Sequence, residues 1–340
     1  MLDLVLLRIV LLSALVSAVV GGAYGYAAHD ALALGVTLGL AFGALFSLLE
    51  AVLFQGAAGA RLRRLPFLAN FALRAGAYVV LIVAIEALFV RLMMGADAVR
   101  GISVLDLGFA LLASVVGNLV YAIADLLGPG VLLAFAAGRY HRPRPEERAL
   151  LFIDIKGSTA KAERLGQARF LDFLDAFIVD VSRDIVANGG EIHKYVGDEI
   201  IATWRLKPGR NAIGIARACF AARDRLQARR AAYEREFGFG AEFRAALHAG
   251  VVVVGEIGSF KKEIALIGDP MNTAARILDA CRELDVATLA SAALIERLYR
   301  MPDGIECRAV APPPLRGKAA PLELAALAPA PAPRRLKAVV

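Results

Sequence analysis

Two short stretches hold residues whose types and spacing suit phosphate chemistry. The first is Leu151-Phe152-Ile153-Asp154-Ile155-Lys156-Gly157-Ser158-Thr159, an apolar run that ends on a carboxylate and passes at once into glycine and hydroxyl residues. The second, His193-Lys194-Tyr195-Val196-Gly197-Asp198, sets a lysine four residues ahead of another carboxylate, across a tight turn. Singly, each has an ordinary explanation: Asp154 as a helix cap, Asp198 as a hairpin residue. Together they suit a nucleoside triphosphate. Such a ligand brings roughly four negative charges, and two divalent cations held by two aspartates would neutralise them and bridge phosphate oxygens. Mg2+ takes few protein ligands and keeps water and phosphate oxygens around it. Backbone N–H groups of Gly157, Ser158 and Thr159, opening a helix, would add phosphate donors.

A third stretch, Ile264-Ala265-Leu266-Ile267-Gly268-Asp269-Pro270-Met271-Asn272-Thr273-Ala274-Ala275-Arg276, reads as a short strand and a helix begun by Asp269-Pro270. Asn272 and Arg276 are four apart and share one helix face. Such a pair could hold a ribose oxygen and steady charge on a reacting phosphoryl group, or be an ordinary polar face.

The elements that must position these residues follow from hydrophobic period. Leu150–Ile155 predicts a buried strand. A helix capped by Ser158 or Thr159 carries Leu165, Phe170, Leu174, Phe177, Ile178 and Val181 at helical spacing and ends at Asn188-Gly189-Gly190. Glu191–Val196 and Glu199–Trp204 predict a hairpin about Gly197-Asp198. Arg210–Arg235 predicts one helix. Phe243–His248 and Val251–Ile257 predict a strand pair about Ala249-Gly250. Ile264–Ile267 predicts a strand, Pro270–Leu284 a helix, Val286–Ala290 a strand and Ala292–Arg300 a helix. The order β-α-β-β-α-β recurs in ferredoxin-like sheets. From Ala311 the Pro/Ala-rich composition predicts disorder, above all at the end of the chain.

The preceding part of the chain is different. Hydrophobic residues make up 58% of the 340, too many for an ordinary soluble protein, and the excess lies between Leu4 and Ala137. Four apolar spans, about Leu4–Ala28, Ala31–Phe54, Phe67–Val90 and Val104–Ala137, each approach the ~20 residues needed to cross a bilayer. The last is interrupted at Gly128-Pro129-Gly130. A signal peptide is a poor reading of the first, because three more spans follow. The basic loops Arg61-Leu62-Arg63-Arg64 and Arg139–Arg148 should be cytoplasmic, which puts the N-terminus inside as well. Gly35, Gly39 and Gly43 predict a close helix contact. Glu50, Arg74, Glu86, Asp106 and Asp125 interrupt the apolar runs. They either contribute to a pocket for an unidentified ligand or pair within the bundle. Arg74 and Glu86 are too far apart on one helix to meet, so each needs a partner on another span.

The expected division is thus a four-helix transmembrane domain (1–138), a basic linker with two prolines (139–149), an α+β domain (150–325) and a Pro/Ala-rich tail (326–340). The net charge of +7 sits at membrane edges, along one helix and in the tail, with no groove-reading motif, so nucleic acid is not an expected partner. Cys219, Cys281 and Cys307 show no metal-ligand spacing and are expected to be reduced thiols.

FIDIKGST, HKYVGDEI and IGDPMNTAARI, in that order and at these separations, resemble the catalytic domain of class III nucleotidyl cyclases, and the resemblance covers about Leu150 to Ala325. It implies that Asp154 and Asp198, with the Ile155 carbonyl, hold two Mg2+ or Mn2+ ions per site. It implies that Asn272 orients the ribose and Arg276 stabilises the transition state. Lys194 matches the lysine that reads adenine. Arg316 or Lys318 resembles the late basic residue at the terminal phosphates. The second adenine-reading position falls on Ala265, which has no polar side chain. Base selectivity would then rest on Lys194 and backbone groups such as the Leu266 carbonyl, and ATP preference would leak towards GTP. In the family the site forms between two subunits, so one catalytic copy implies a homodimer. The expectation is a membrane-bound adenylate cyclase, multi-pass in a bacterial inner membrane, with its catalytic domain cytoplasmic. The competing readings are a guanylate or dual-specificity cyclase, and a non-catalytic receptor or scaffold.

Overall fold

The computed structural model describes residues 2–54, 62, 65–94, 103–127, 138–207, 212–298, 300–311 and 322–330, in two compact units, Met1–Leu127 and Gly128–Val340. Gly128-Pro129-Gly130, Arg61, Arg63, Arg64, Arg316 and Lys318 lie outside the described residues.

The first unit consists of α1 (Leu2–His29), α2 (Leu32–Leu49, running on as a π turn over Glu50–Phe54), α3 (Phe67–Met94) and α4 (Val104–Leu127). Stretches of 20 to 23 residues in these four are long and apolar enough to cross a membrane. Glycine sets the spacing of α1 and α2. A Cβ on Gly35 would fall 2.2 Å from the Gly21 carbonyl oxygen, one on Gly39 2.2 Å from that of Ser17, and one on Gly43 2.5 Å from that of Ser13. The expected glycine contact is therefore real, and α1 is its partner.

Glu50, Arg74 and Asp106, three of the ionisable groups in these helices, find partners within the unit. Arg74 donates to Glu50 at 2.8 Å and to Asn70 at 2.7 Å, and the buried Tyr78 hydroxyl also donates to Glu50. Asp106 accepts from Tyr24 and from Ser103, and its oxygen lies 2.7 Å from His29 Nε2. A carboxylate in an apolar surrounding is tolerable only when met in this way.

The second unit is built on a mixed sheet of β1 (Arg144–Ile155), β2 (Glu191–Val196), β3 (Glu199–Arg205), β4 (Phe243–Ile257), β5 (Glu263–Ile267), β6 (Thr288–Ser291), β7 (Ile305–Val310) and β8 (Leu324–Pro329). The order is β2-β3-β1-β4-β6-β8-β7, with β5 paired to β4. Its first four strands, β4-β1-β3-β2 and all antiparallel, form the expected ferredoxin-like core. Alternation along β1 sends Leu151, Ile153 and Ile155 to one face and Leu150 and Phe152 to the other. The first face is covered by α6 (Gln167–Ala187) and α7 (Ile213–Ala228), which bury Phe173, Phe177, Ile215 and Cys219. The second face is covered by α9 (Asp269–Glu283), through Ala274, Ile277, Leu278 and Cys281.

Several boundaries differ from those expected. β1 starts at Arg144, inside the segment read as linker. Arg148, buried there, is held by Glu146, Glu191, Thr203 and Tyr140. β4 is one strand of 15 residues with no turn at Ala249-Gly250, because Arg148 and Gly250 pair in register. The first helix of the unit is broken at Gly166 (φ 75°) into α5 (Ser158–Leu165) and α6, and Gly157 (φ 69°), not Ser158 or Thr159, stands at the cap of α5. The expected helix Arg210–Arg235 breaks at Arg229 into α7 and α8 (Arg230–Phe237), and α10 (Ala292–Ile295) gives way to a 3-10 turn. β7 is unforeseen, and β8 runs to Pro329 inside the segment expected to be tail, covering Leu324 and Leu327.

Gly39→Leu should wedge α1 from α2 and lower the stability of the membrane unit by about 1–3 kcal/mol or more. A fall in thermal midpoint in detergent relative to wild type is the check.

Candidate active site

β1 and β3 run antiparallel with Asp154 opposite Glu199, and Asp198 stands in the turn just before Glu199, after Gly197 (φ 62°). Backbone pairing alone therefore gathers three carboxyls at one end of the sheet. A cavity of about 360 Å³ opens there, lined by Asp154, Ile155, Gly157, Ser158, Thr159, Asp198, Arg244 and Arg282. The predicted metal residues Asp154, Ile155 and Asp198 and the predicted phosphate turn Gly157–Thr159 are all in that lining.

The electrostatics are those of crowded acids. Burial raises the Asp154 carboxyl above its ordinary range and the Asp198 charge adds to the rise, while Arg282, 2.9 Å away, opposes it. Glu199 is pushed up to about 7, by burial first and then by the Asp154 charge. Asp198 Oδ2 is buried and, among the described residues, has no hydrogen-bond partner. An acceptor buried without a donor costs free energy, and a bound cation would remove that cost.

Arg244, Arg282 and Glu199 were not foreseen. Arg244 faces Asp154 from β4, a register hidden when β4 reads as two strands. Arg282 lies at the far end of α9 from Asn272, off the face shared by Asn272 and Arg276, so nothing in its spacing marked it.

The remaining candidates are elsewhere. Lys194, on β2, forms an ion pair with Glu263 of β5. Ala265 is buried and Leu266 packs near Val252 and Val254. Asn272 is exposed on the first turns of α9, and Arg276 is half-buried one turn on. From Arg276 to Arg282 the helix advances about 9 Å along its axis. Lys194, Asn272 and Arg276 are not among the residues lining the carboxylate cavity.

Residues 141–322, a little over half of the chain, match the family model of the adenylate and guanylate cyclase catalytic domain. The chain belongs to this cyclase family. Adenylate cyclase 2 of Rhizobium meliloti (strain 1021) is 37% identical over 179 residues, which are 53% of this chain and 49% of that protein. Adenylate cyclase 1 of the same organism is 26% identical over 187 residues, 54% of this chain and 28% of that protein. The chain thus spans less than half the length of these relatives. The structure of a bacterial light-regulated adenylyl cyclase superposes with a TM-score of 0.54 at 20% identity, over 64% of this chain and 62% of that one, a likeness of fold.

The cyclase family generally uses divalent metal ions. Among the described residues no three His, Cys, Asp or Glu side chains are grouped to hold a metal. Two carboxylates and a carbonyl nevertheless suit Mg2+, which prefers few protein donors, and the unpartnered Asp198 oxygen fits the same role.

Two predictions follow from these charges. Asp154 and Glu199 bind protons more tightly in the folded cyclase domain than in the unfolded chain. The metal-free fold is therefore favoured at low pH and loses that contribution as pH rises from 4.5 towards about 7. Mg2+ relieves the repulsion only once the acids ionise, so its stabilising shift in thermal midpoint should grow from about pH 5.5 to about pH 8, and more weakly in Glu199→Gln. Arg282 is half-exposed and competes with the cation for Asp154, so Arg282→Ala should tighten Mg2+ binding at pH 8 by up to about fivefold. Calorimetric titration of the nucleotide-free protein measures this.

Proposed function

We propose that the chain is a membrane-bound adenylate cyclase that converts ATP to 3′,5′-cyclic AMP and pyrophosphate at two equivalent sites in a homodimer. The observation that carries this is the separation of its own candidates. Asp154, Ile155, the Gly157–Thr159 turn and Asp198 line one cavity, while Lys194, Asn272 and Arg276 stand outside it. One chain offers two halves of a site, and a second copy related by a two-fold axis would complete both.

The surface agrees with such a partner. Val251, Val253, Ile257 and Ile267 are exposed along the β4–β5 hairpin, and Phe260 at its tip is 107% exposed, an arrangement costly for a monomer in water.

The roles then divide as follows. Asp154, Asp198 and the Ile155 carbonyl would hold two Mg2+ or Mn2+ ions. When bound, these supply positive charge to the triphosphate and lower the barrier to ionising the ribose hydroxyl. Backbone N–H groups at the start of α5 face the phosphates, with Arg244 and Arg282 as nearby counter-charge. Lys194 of the second copy reads the base, Asn272 orients the ribose and Arg276 steadies charge on the α-phosphoryl group. The ribose 3′-oxygen gives up its proton to solvent water and forms a bond to the α-phosphorus. The bond from that phosphorus to the bridging oxygen breaks in line, and pyrophosphate carries the electron pair away. Positioning and charge suffice, with no covalent enzyme intermediate. Arg316 or Lys318 would take the terminal-phosphate role that the resemblance implies.

The four helices would anchor the chain in the bilayer with the cyclase domain and the N-terminus cytoplasmic. The alanine at 265 favours a second reading, a cyclase that also accepts GTP, and competing the two nucleotides in one assay separates these.

Purified protein should form cyclic AMP from ATP. Asp154→Ala, Asp198→Ala and Arg276→Ala should each lose a hundredfold or more, on the order expected for removing a charge-stabilising group. Co-expressing Asp198→Ala with Arg276→Ala should restore about one quarter of wild-type activity, since half the dimers are mixed and each carries one intact site of two. Activity that stays at the level of the single variants would rule out the shared site. Nucleotide binding without turnover in the wild type would instead support a scaffold.

A further inference from the structure

Lys194 and Glu263 come from strands that share no edge, β2 and β5, yet their side chains are in contact. On β5, Ile264 and Leu266 pack towards Tyr140, Val252 and Val254. Alternation therefore places Glu263 and Ala265 together on the opposite face, about 7 Å apart along the strand. The ammonium of Lys194 meets that face at Glu263. Glu263 is itself two-fifths exposed, so its side chain can be reached from solvent. A base lying against Lys194 thus finds a donor and an acceptor side by side.

This pattern matches one edge of adenine. Ring N1 accepts a hydrogen bond, and the exocyclic amine on the adjacent carbon donates one. Ala265 has no group to accept from that amine. We propose that Glu263 is the specificity-determining acceptor of the base site: its carboxylate, held beside Lys194 Nζ, takes the hydrogen bond from the adenine amine. The inference rests on the reading of Lys194 as a base contact. Two further features support it. Lys194 holds the Glu263 carboxyl below the usual carboxylate range, by a hydrogen bond first and by charge second, so the group is an acceptor at neutral pH. His193, next to Lys194, is pushed down to about 4 by burial and by the Lys194 charge, so it adds no competing positive charge beside the pair.

Guanine presents an oxygen where adenine presents the amine. Lys194 could donate to that oxygen only if the ring shifted so that its N1–H met Glu263. The pair therefore favours adenine through position and not through an absolute block, in keeping with a cyclase that discriminates incompletely.

The test compares ATP with purine riboside triphosphate, which has the same ring without the amine, on full-length protein in detergent. Glu263→Ala should lower kcat/KM for ATP about tenfold, mainly through KM, and leave purine riboside triphosphate within about twofold. Glu263→Gln, which keeps the size and one neutral acceptor, should fall between wild type and Glu263→Ala on ATP alone. Equal effects on the two nucleotides in both variants, whether equal loss or no loss, would overturn the proposal. Lys194→Ala separates this from the wider reading. If Lys194→Ala lowers activity on both nucleotides while Glu263→Ala discriminates between neither, only the role of Glu263 falls. If Lys194→Ala changes neither, the base contact itself is wrong.

Discussion

Antiparallel pairing of β1 with β3 forces acidic groups together, and the surroundings of the site are a response to that. Asp154 and Glu199 are opposite one another because the strands are in register, and Asp198 is fixed by the turn that joins β2 to β3. None of these positions can relax without shifting a strand whose neighbours Ile153, Ile155 and Ile200 are fully buried. Sheet packing therefore holds the repulsion in place, as is common where charge must be ready for a ligand. Without a cation, protonation and Arg282 offset it. With one, the same crowding becomes affinity.

The two faces of the sheet explain why such a site would need a second copy. One face carries α6 and α7 and a continuous core. The other carries α9 and a smaller cluster. The β4–β5 hairpin extends beyond both and ends in exposed apolar residues. A chain that folded only for itself would not be expected to present Phe260 fully to water. The polar residues of α9 belong to this thinly covered side, and the Lys194–Glu263 pair ties the edge strand β2 to the hairpin. Dimerisation and catalysis would therefore draw on the same surface, and any change in one would be felt by the other.

Much of this was legible in sequence because the relevant signals are local. Asp154 follows an unbroken apolar strand, Lys194 and Asp198 flank a glycine turn, and four long apolar runs separate themselves by composition. What escaped was set by distant partners. Gly250 looks like a turn residue, but pairing with Arg148 on β1 keeps β4 straight through it. β8 has a tail-like composition of Leu, Ala and Pro, and it is a strand because β6 and β7 lie on either side of it. Arg229 lies in an unbroken helical pattern, yet the helix breaks there, and Arg229 itself bonds to Asp180 on α6. Arg282 and Glu263 share the same origin: each acts through a residue far away in sequence, and a one-dimensional pattern carries no sign of it.

The membrane unit can be weighed by what its polar groups already do. Glu50 is bound by Arg74 and Tyr78, and Asp106 by Tyr24, His29 and Ser103. Each carboxylate ties together two or more helices. Buried pairs of this kind are costly to break, because loss of one partner leaves a charge stranded in a poor solvent. A small molecule acting at Glu50 or Asp106 would have to compete for a group that is already satisfied, which sets a high threshold. Lateral association of the helices faces no such barrier, since their outward residues, among them Leu11, Leu15 and Val19, are apolar and free to meet either lipid or another chain. Confinement to a bilayer also raises the concentration at which protomers encounter one another. A cyclase interface too weak to hold in dilute solution would then be sufficient. On physical grounds alone, anchoring that promotes dimerisation is the simpler role for these four helices, and a sensing role would have to be built on top of it.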